Sequence, residues 1–412
     1  MTGFSRRRLL QTGALGAAVG VGTTLVPGAR SLNPIGTASA ASPEQAARSF
    51  YGENQAGVLE PPAKETIMAA FDVIAPDVAT LDGLLREITD QCRQLTGLSR
   101  IPDLGPKAPP ADNGLLGPTS DQAGSLTLTV AVGASLFDGR FGLASRRPAQ
   151  LTTMPTFQDD NLDPAECHGD LLVQLRGDSH DVVVHALRQL ARHTRGAMQM
   201  RWRIDGFSNA PRPTGAQRNL LGFKDGTANP DIANPDEMRR LVWVDGSNPE
   251  PAWTAGGTYQ VVRIIRMLVE FWDRVSITEQ ENMFGRRKDS GAPLDGNAES
   301  DLPDYAADPH GNVISLDAHI RRANPRTAES DDSRILRRGM SYDRGVDTNG
   351  NLDMGLVFNC FQQDIHRQFE ANQRRLAGEP LVDYVSPTGG GYFYVLPGVV
   401  DGQDYLARGL ME

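Results

Sequence analysis

A carboxylate set between two glycines is the first place in this 412-residue chain where residue type and spacing could do chemistry: Gly222-Phe223-Lys224-Asp225-Gly226-Thr227-Ala228-Asn229-Pro230. Glycines flanking Asp225 let the backbone approach a ligand closely, and a carboxylate so placed can act as a general acid or base. The same letters also spell a surface Asp-Gly turn. They do not spell a phosphate loop, because the lysine precedes the aspartate and the Gly-x-x-x-x-Gly-Lys-Ser/Thr spacing is missing. The second candidate is His319, in Asp317-Ala318-His319-Ile320-Arg321-Arg322-Ala323-Asn324-Pro325-Arg326. A neutral imidazole is the usual axial ligand of haem iron in peroxidases, and on spacing alone His319 also reads as a surface histidine. The third is Arg334-Ile335-Leu336-Arg337-Arg338-Gly339. Ile335 and Leu336 put apolar residues directly before Arg337, so one guanidinium could point inward, where it needs an anionic partner. Otherwise the cluster is a solvated basic face.

The other candidates have simpler readings. His185 and His193 fall on an amphipathic helix pattern, and His168 begins a strand in Cys167-His168-Gly169-Asp170. No two histidines have zinc-hydrolase spacing. Cys92, Cys167 and Cys360 are too few for a disulfide framework and sit in no zinc spacing. Gly389-Gly390-Gly391 precedes a strand pattern and reads as a turn.

The elements that must position these residues are legible from periodicity. In the first half the patterns predict a strand over 66–74, a helix over 78–95 and a strand over 126–132. A strand over 170–175, a helix over 180–193 and a strand over 198–204 follow. This is the split-βαβ, ferredoxin-like order. The second half repeats it loosely: strand 259–267, helix 278–284, strand 356–361, helix 365–376, strand 392–396. Between its first helix and second strand lies a long insertion, 285–355, with little periodicity, a kind of segment that is usually functional or disordered. The expectation is an α+β chain of two halves, 41–215 and 216–412, similar in element order and not in residue-level repeat.

The first forty residues read as a separate unit. Ser5-Arg6-Arg7-Arg8-Leu9-Leu10-Gln11, a Gly/Ala-rich apolar run and Ala38-Ser39-Ala40 form a twin-arginine export signal over 1–40, cut after Ala40. The run is broken by Gln11, Thr12, Thr23, Thr24 and several glycines, and a spanning anchor needs about 20 predominantly apolar residues. No transmembrane segment is expected in the mature chain, which should be periplasmic or secreted. That export route carries folded proteins, often with a cofactor inside. The mature chain keeps 37 basic against 51 acidic residues, a net −14 that argues against nucleic acid as partner.

Further stretches sharpen the reading: Tyr51-Gly52-Glu53-Asn54-Gln55-Ala56-Gly57, Cys167–Asp170, Glu270-Phe271-Trp272-Asp273-Arg274, Phe284-Gly285-Arg286-Arg287-Lys288 and Arg337-Arg338-Gly339-Met340-Ser341-Tyr342. With the Asp225 run and the His319–Arg326 run, they resemble the dye-decolourising (DyP-type) haem peroxidase family over nearly the whole mature chain. The nearest likeness is to its exported deferrochelatase/peroxidase branch, associated with iron uptake. The resemblance implies two ferredoxin-like halves and one haem b per chain, held mainly by the C-terminal half. It makes His319 the proximal iron ligand, and Asp225 and Arg337 the distal catalytic pair. Gly226, Thr227, Ala228, Asn324, Pro325 and Arg326 would lie against the haem, Arg326 beside a propionate. It also implies hydrogen peroxide and an organic or metal-ion reductant as substrates, a link to ferrous-iron uptake components, and a homo-oligomer. One departure is visible: some subfamilies place Asn two residues after the distal arginine, where this chain has Gly339.

Under that resemblance, Asp225 moves a proton between the peroxide oxygens and Arg337 stabilises charge on the departing one. An aspartate in place of a histidine base should favour acidic conditions. His319 should donate its other ring N–H to a carboxylate, with Asp364 the candidate. Trp202, Trp243, Trp253, Trp272 and Tyr342 could relay electrons, although large aromatics mainly pack. Two alternatives stay open: release of iron from haem with the porphyrin intact, and haem binding without turnover.

Overall fold

The computed structural model describes residues 50–97, 102–117, 126–247 and 249–412. The export segment and its cut after Ala40 lie outside these residues. In the first half, β1 (Glu65–Val73), α1 (Val78–Leu95), β2 (Thr127–Gly133), β3 (Leu171–Gly177), α2 (His180–His193) and β4 (Met198–Phe207) follow one another as the periodicity predicts. The helix α1 shows why. Asp77 caps its start by accepting from the Thr80 N–H, and Leu81, Leu84, Leu85, Ile88, Cys92 and Leu95 bury one face at spacings of three and four. Each such leucine or isoleucine contributes about 1.5–3 kcal/mol of apolar burial.

The strands pair antiparallel in the order β4-β1-β3-β2. The second half is built on β5 (Thr258–Met267), β6 (Leu336–Arg337), β7 (Met340–Val346), β8 (Leu352–Gln362) and β9 (Val385–Val395), with the order β9-β5-β8-β7. Both halves are therefore ferredoxin-like. They meet at both flanks: β2 pairs β9 from Ala131↔Val395 to Gly133↔Phe393, and β4 pairs β7 at Phe207↔Ser341. Strand pairing so runs round a closed ring of eight, with β6 added on β8. The N-terminal segment straps the halves together. Gln55 donates to the carbonyls of Val130 and Leu396, and Arg176 and Arg338 donate to those of Gly57 and Leu59. Among the described residues no helix is long and apolar enough to cross a membrane.

The helices of the second half are α3 (Pro235–Leu241), α4 (Val269–Trp272), α5 (Ile277–Phe284), α6 (His319–Ala323), α7 (Ala328–Asp332), α8 (Phe369–Leu376) and the short α9 (Arg408–Met411). Three expectations need correcting here. The 285–355 insertion is not structureless, since it carries α6, α7, β6 and β7, the last supplying the fourth ferredoxin strand. The last long helix starts at Phe369 and not at 365. The preceding residues bond locally: Asp364 accepts from the Arg367 N–H, and the Gln368 side chain accepts from the Asp364 N–H. Gly389–Gly391 is not a turn but the middle of β9. A Cβ at Gly389 would meet the Glu166 carbonyl at 2.6 Å and one at Gly390 the Val262 carbonyl at 2.0 Å, so glycine here admits two other backbones.

Candidate functional site

The second half encloses a cavity of about 290 Å³, and apart from Asp159 and Asp160 every residue lining it lies beyond position 216. His319 enters from the helical side as the first residue of α6. Two features hold α6 in place. Gly285, in a left-handed conformation at the end of α5, lets Ile320 come close, since a Cβ there would lie 2.8 Å from Ile320 Cγ1. Asp308 gathers the loop before α6 by accepting from the N–H groups of Asn312, Val313 and Ile314, and it pairs with Arg321.

The imidazole is oriented by Glu379, whose oxygens lie 3.0 and 2.8 Å from His319 Nδ1. The carboxylate partner expected at Asp364 is therefore Glu379, because Asp364 is occupied by the backbone at the start of its own turn. Burial favours the neutral ring. The Glu379 charge and hydrogen bond outweigh burial and the repulsion from Arg337, and hold the imidazole's pKa above its usual value. With Nδ1 engaged, Nε2 remains for a ligand. Phe284 lies 5.9 Å from the His319 ring and stacks on Phe223 at 3.9 Å, and Trp272 meets Phe284 edge-on at 5.8 Å.

Asp225 and Arg337 enter from the strand side. Arg337 Nη1 lies 3.0 Å from Asp225 Oδ1. The 285–299 part of the insertion clasps the Asp225 loop: Lys224 pairs with Glu299, and Arg218 donates to the carbonyls of Lys288 and Asp289. Thr227, Ala228, Asn324 and Arg326 also line the cavity, whereas Gly226 and Pro325 do not. Gly226 instead supplies the positive φ of +91° that turns the chain after Asp225. Gly339 leaves room beside the pair, since a Cβ there would sit 3.8 Å from Asp225 Oδ2. Trp272 and Tyr342 are fully buried and Trp202 nearly so, as packing residues are.

Sequence reasoning missed Glu379, Arg286 and Tyr305. Arg286 lines the cavity with only 6% exposure, and its Nε has no acceptor. Burial lowers its pKa, and Arg326 and Arg337 push it the same way. Burial likewise pushes the Tyr305 phenol up to about 12, against the pull of Arg326, Arg286 and Arg321. The Tyr305 hydroxyl is buried without a hydrogen-bond partner. Arg286 and Tyr305 stand in an unperiodic stretch, where no spacing signals a site. The Phe284–Lys288 resemblance is the sole pointer to Arg286.

Comparison with known proteins agrees with this architecture. The family model for the N-terminal part of Dyp-type peroxidases matches residues 55–208, and that for the C-terminal part matches 216–400. Proteins called deferrochelatase from Shigella boydii serotype 4 and Escherichia coli (strain K12) are each 48% identical over 99% of this chain and 97% of their own length. Among solved structures, a DyP-type peroxidase from Cellulomonas bogoriensis is 37% identical, covering 88% of this chain and 97% of that one at a TM-score of 0.78. Ferric DtpA from Streptomyces lividans is 35% identical, covering 88% and 96% at 0.77. An imidazole backed by a carboxylate, sharing one cavity of the second ferredoxin-like half with an aspartate–arginine pair, thus comes with a match along nearly the whole chain: the protein belongs to the Dyp-type peroxidase family.

Proposed function

We propose that this enzyme is an extracytoplasmic peroxidase that binds one haem b per chain, with His319 as iron ligand and Asp225 and Arg337 as its catalytic residues. The observation that carries the reading is the shared cavity of His319, with Nδ1 fixed by Glu379, and the Asp225–Arg337 pair. The residues fit the cofactor. Among the described residues no cluster of three or more His, Cys, Asp or Glu could hold a metal alone. A lone imidazole therefore suits a metal that brings most of its coordination with it. Leu221, Phe223, Phe284, Leu356 and Phe358 offer apolar walls. Arg286, on the cavity wall, keeps a buried Nε without a partner, as a site for carboxylates would.

Bound haem would supply the iron at which hydrogen peroxide is reduced. The protein's own part is proton and charge handling. Asp225 can take a proton from one peroxide oxygen and return it to the other, a task worth about 10²–10⁴-fold. Arg337, half-buried beside it, can stabilise negative charge on the departing oxygen. Glu379 fixes the ring orientation and raises the basicity of His319. The arginines at 286 and 326 would take the propionates. Residues 41–215 and 216–412 are the two halves in this reading. The twin-arginine signal supports export, a role beside ferrous-iron uptake components fits the relatives' name, and self-assembly completes the proposal.

The test is a visible spectrum of the purified protein before and after peroxide. A histidine-ligated Soret band that shifts on peroxide addition supports the reading, and a protein that takes up no haem sinks it. A second reading, iron release from haem, is favoured by the name of relatives at 48% identity. Incubation with haem and a reductant separates the two: metal-free protoporphyrin fluorescence without peroxide marks iron release.

A further inference from the structure

We propose that Asn229 is the positioning residue of the distal pair, its side-chain amide standing in for a neighbouring strand along the open edge of Arg337. The inference rests on the role proposed above for Arg337. That residue belongs to β6, a strand of two residues that pairs with β8 on one side and ends the sheet on the other. In an antiparallel strand the N–H and C=O of one residue point to the same side, and the next residue's point to the opposite side. The Arg338 N–H donates to the Asn359 carbonyl of β8 at 2.7 Å, so the polar groups of Arg337 face the open edge. The carbonyl also accepts from Arg338 Nη1 at 3.3 Å, but the N–H left bare beside a half-buried site would cost free energy.

Asn229 meets both. Its Oδ1 accepts from the Arg337 N–H at 2.9 Å, and its Nδ2 donates to the Arg337 carbonyl at 3.1 Å. Among side chains of this reach, only a carboxamide can accept and donate together in this way. The amide is itself held. The Asn229 N–H donates to the Gly226 carbonyl at 3.2 Å, and a Cβ on Gly226 would lie 3.3 Å from Asn229 Nδ2. Since Gly226 follows Asp225, the connections close on themselves. They run from the Asp225 main chain to the Asn229 side chain, on to the Arg337 main chain, and from Arg337 Nη1 back to Asp225 Oδ1 at 3.0 Å. Gln217 adds a tie one step along: its carbonyl accepts from the Asp225 N–H at 2.9 Å, and its side chain donates to the Gly339 carbonyl at 3.1 Å. Asn229 thus acts through Arg337, fixing the backbone from which the guanidinium reaches the carboxylate.

The experiment uses the haem-loaded protein, with Asn229→Ala and, should that variant not fold, Asn229→Leu, which keeps the bulk and likewise removes both acceptor and donor. Hydrogen exchange at the Arg337 amide should be slow in the wild type and at least ~10-fold faster in the variant. The rate of reaction with peroxide should fall about 10- to 100-fold with the Soret band unchanged, as displaced catalytic groups do. In an Arg337→Leu background the same substitution should cost nothing further, which a merely structural asparagine would not show. Unchanged exchange, or the full rate loss repeated in that background, overturns the proposal. Should Arg337→Leu itself react like the wild type, the role given to Arg337 fails, and the catalytic consequence drawn here goes with it, whatever the exchange shows.

Discussion

Glu379 and His319 stand sixty residues apart in the chain, yet both oxygens of the carboxylate come within 3.0 Å of one ring nitrogen. The glutamate is 7% exposed, so water competes little for it. A neutral partner would orient the ring and leave it less basic. In Glu379→Gln the affinity for haem should fall about 10- to 100-fold, the range seen when such outer partners of metal-bound histidines are lost. The reduction potential should rise, because the oxidised iron loses a donor strengthened by charge. Haem titration and spectroelectrochemistry check both.

Variants at the cavity should divide into two kinds. His319→Ala should lose the histidine-ligated spectrum and recover it with added imidazole. Asp225→Asn and Arg337→Leu should keep the cofactor and lose peroxide reactivity, by about 10²–10⁴-fold for the proton carrier and ~10²–10³-fold for the charge stabiliser. Stopped-flow mixing with peroxide measures each. A haem-binding protein without turnover would show no loss.

Acid should loosen the loop that carries His319 through Asp308. The Ile314, Asn312 and Val313 N–H groups, with Arg321 adding its charge, hold this carboxyl below its ordinary value of 3.8. A depressed carboxylate contributes stability above the unfolded-state value and loses it as pH falls through the folded one. The contribution should therefore be complete above about pH 4 and fade below it. Amide exchange across 308–323 as a function of pH reads the change. Asp308→Asn should show the looser loop already at neutral pH.

Two glycines should respond to alanine by very different amounts. Gly390 has φ +116°, and its added Cβ would meet a carbonyl of β5 at 2.0 Å. Backbone cannot yield cheaply, so Gly390→Ala should cost at least ~2 kcal/mol. Gly339 has nothing nearer than Leu356 Cδ1 at 3.3 Å, the movable end of a side chain. Gly339→Ala should leave stability within about 0.5–1 kcal/mol of the wild type. Thermal denaturation followed by circular dichroism distinguishes them.

The first half was legible because each element carries a full period of its pattern. In α1 six apolar residues fall on one face, and its predicted span agrees with the observed Val78–Leu95. β7 carries no such pattern: Met340, Ser341 and Tyr342 are buried in succession and the rest of the strand is exposed. Its partners on either flank, β4 and β8, make it a strand. The resemblance brought out Asp225, His319 and Arg337, which the structure gathers in one cavity. Glu379 and Asn229 escaped because their value lies in contacts made 60 and 108 positions away. Asp364, the expected partner, is instead claimed by local turn bonding, which no pattern in the sequence announces.

The ring of eight strands has a thermodynamic consequence. Each four-stranded sheet spends both outer strands on the other, and Gln260, Asn359 and Gln174 link side chain to side chain through the sealed interior between them. Neither half can come undone without baring two flanks of the survivor. Denaturant should therefore melt the pair in a single cooperative step, with no stage at which one half stands alone.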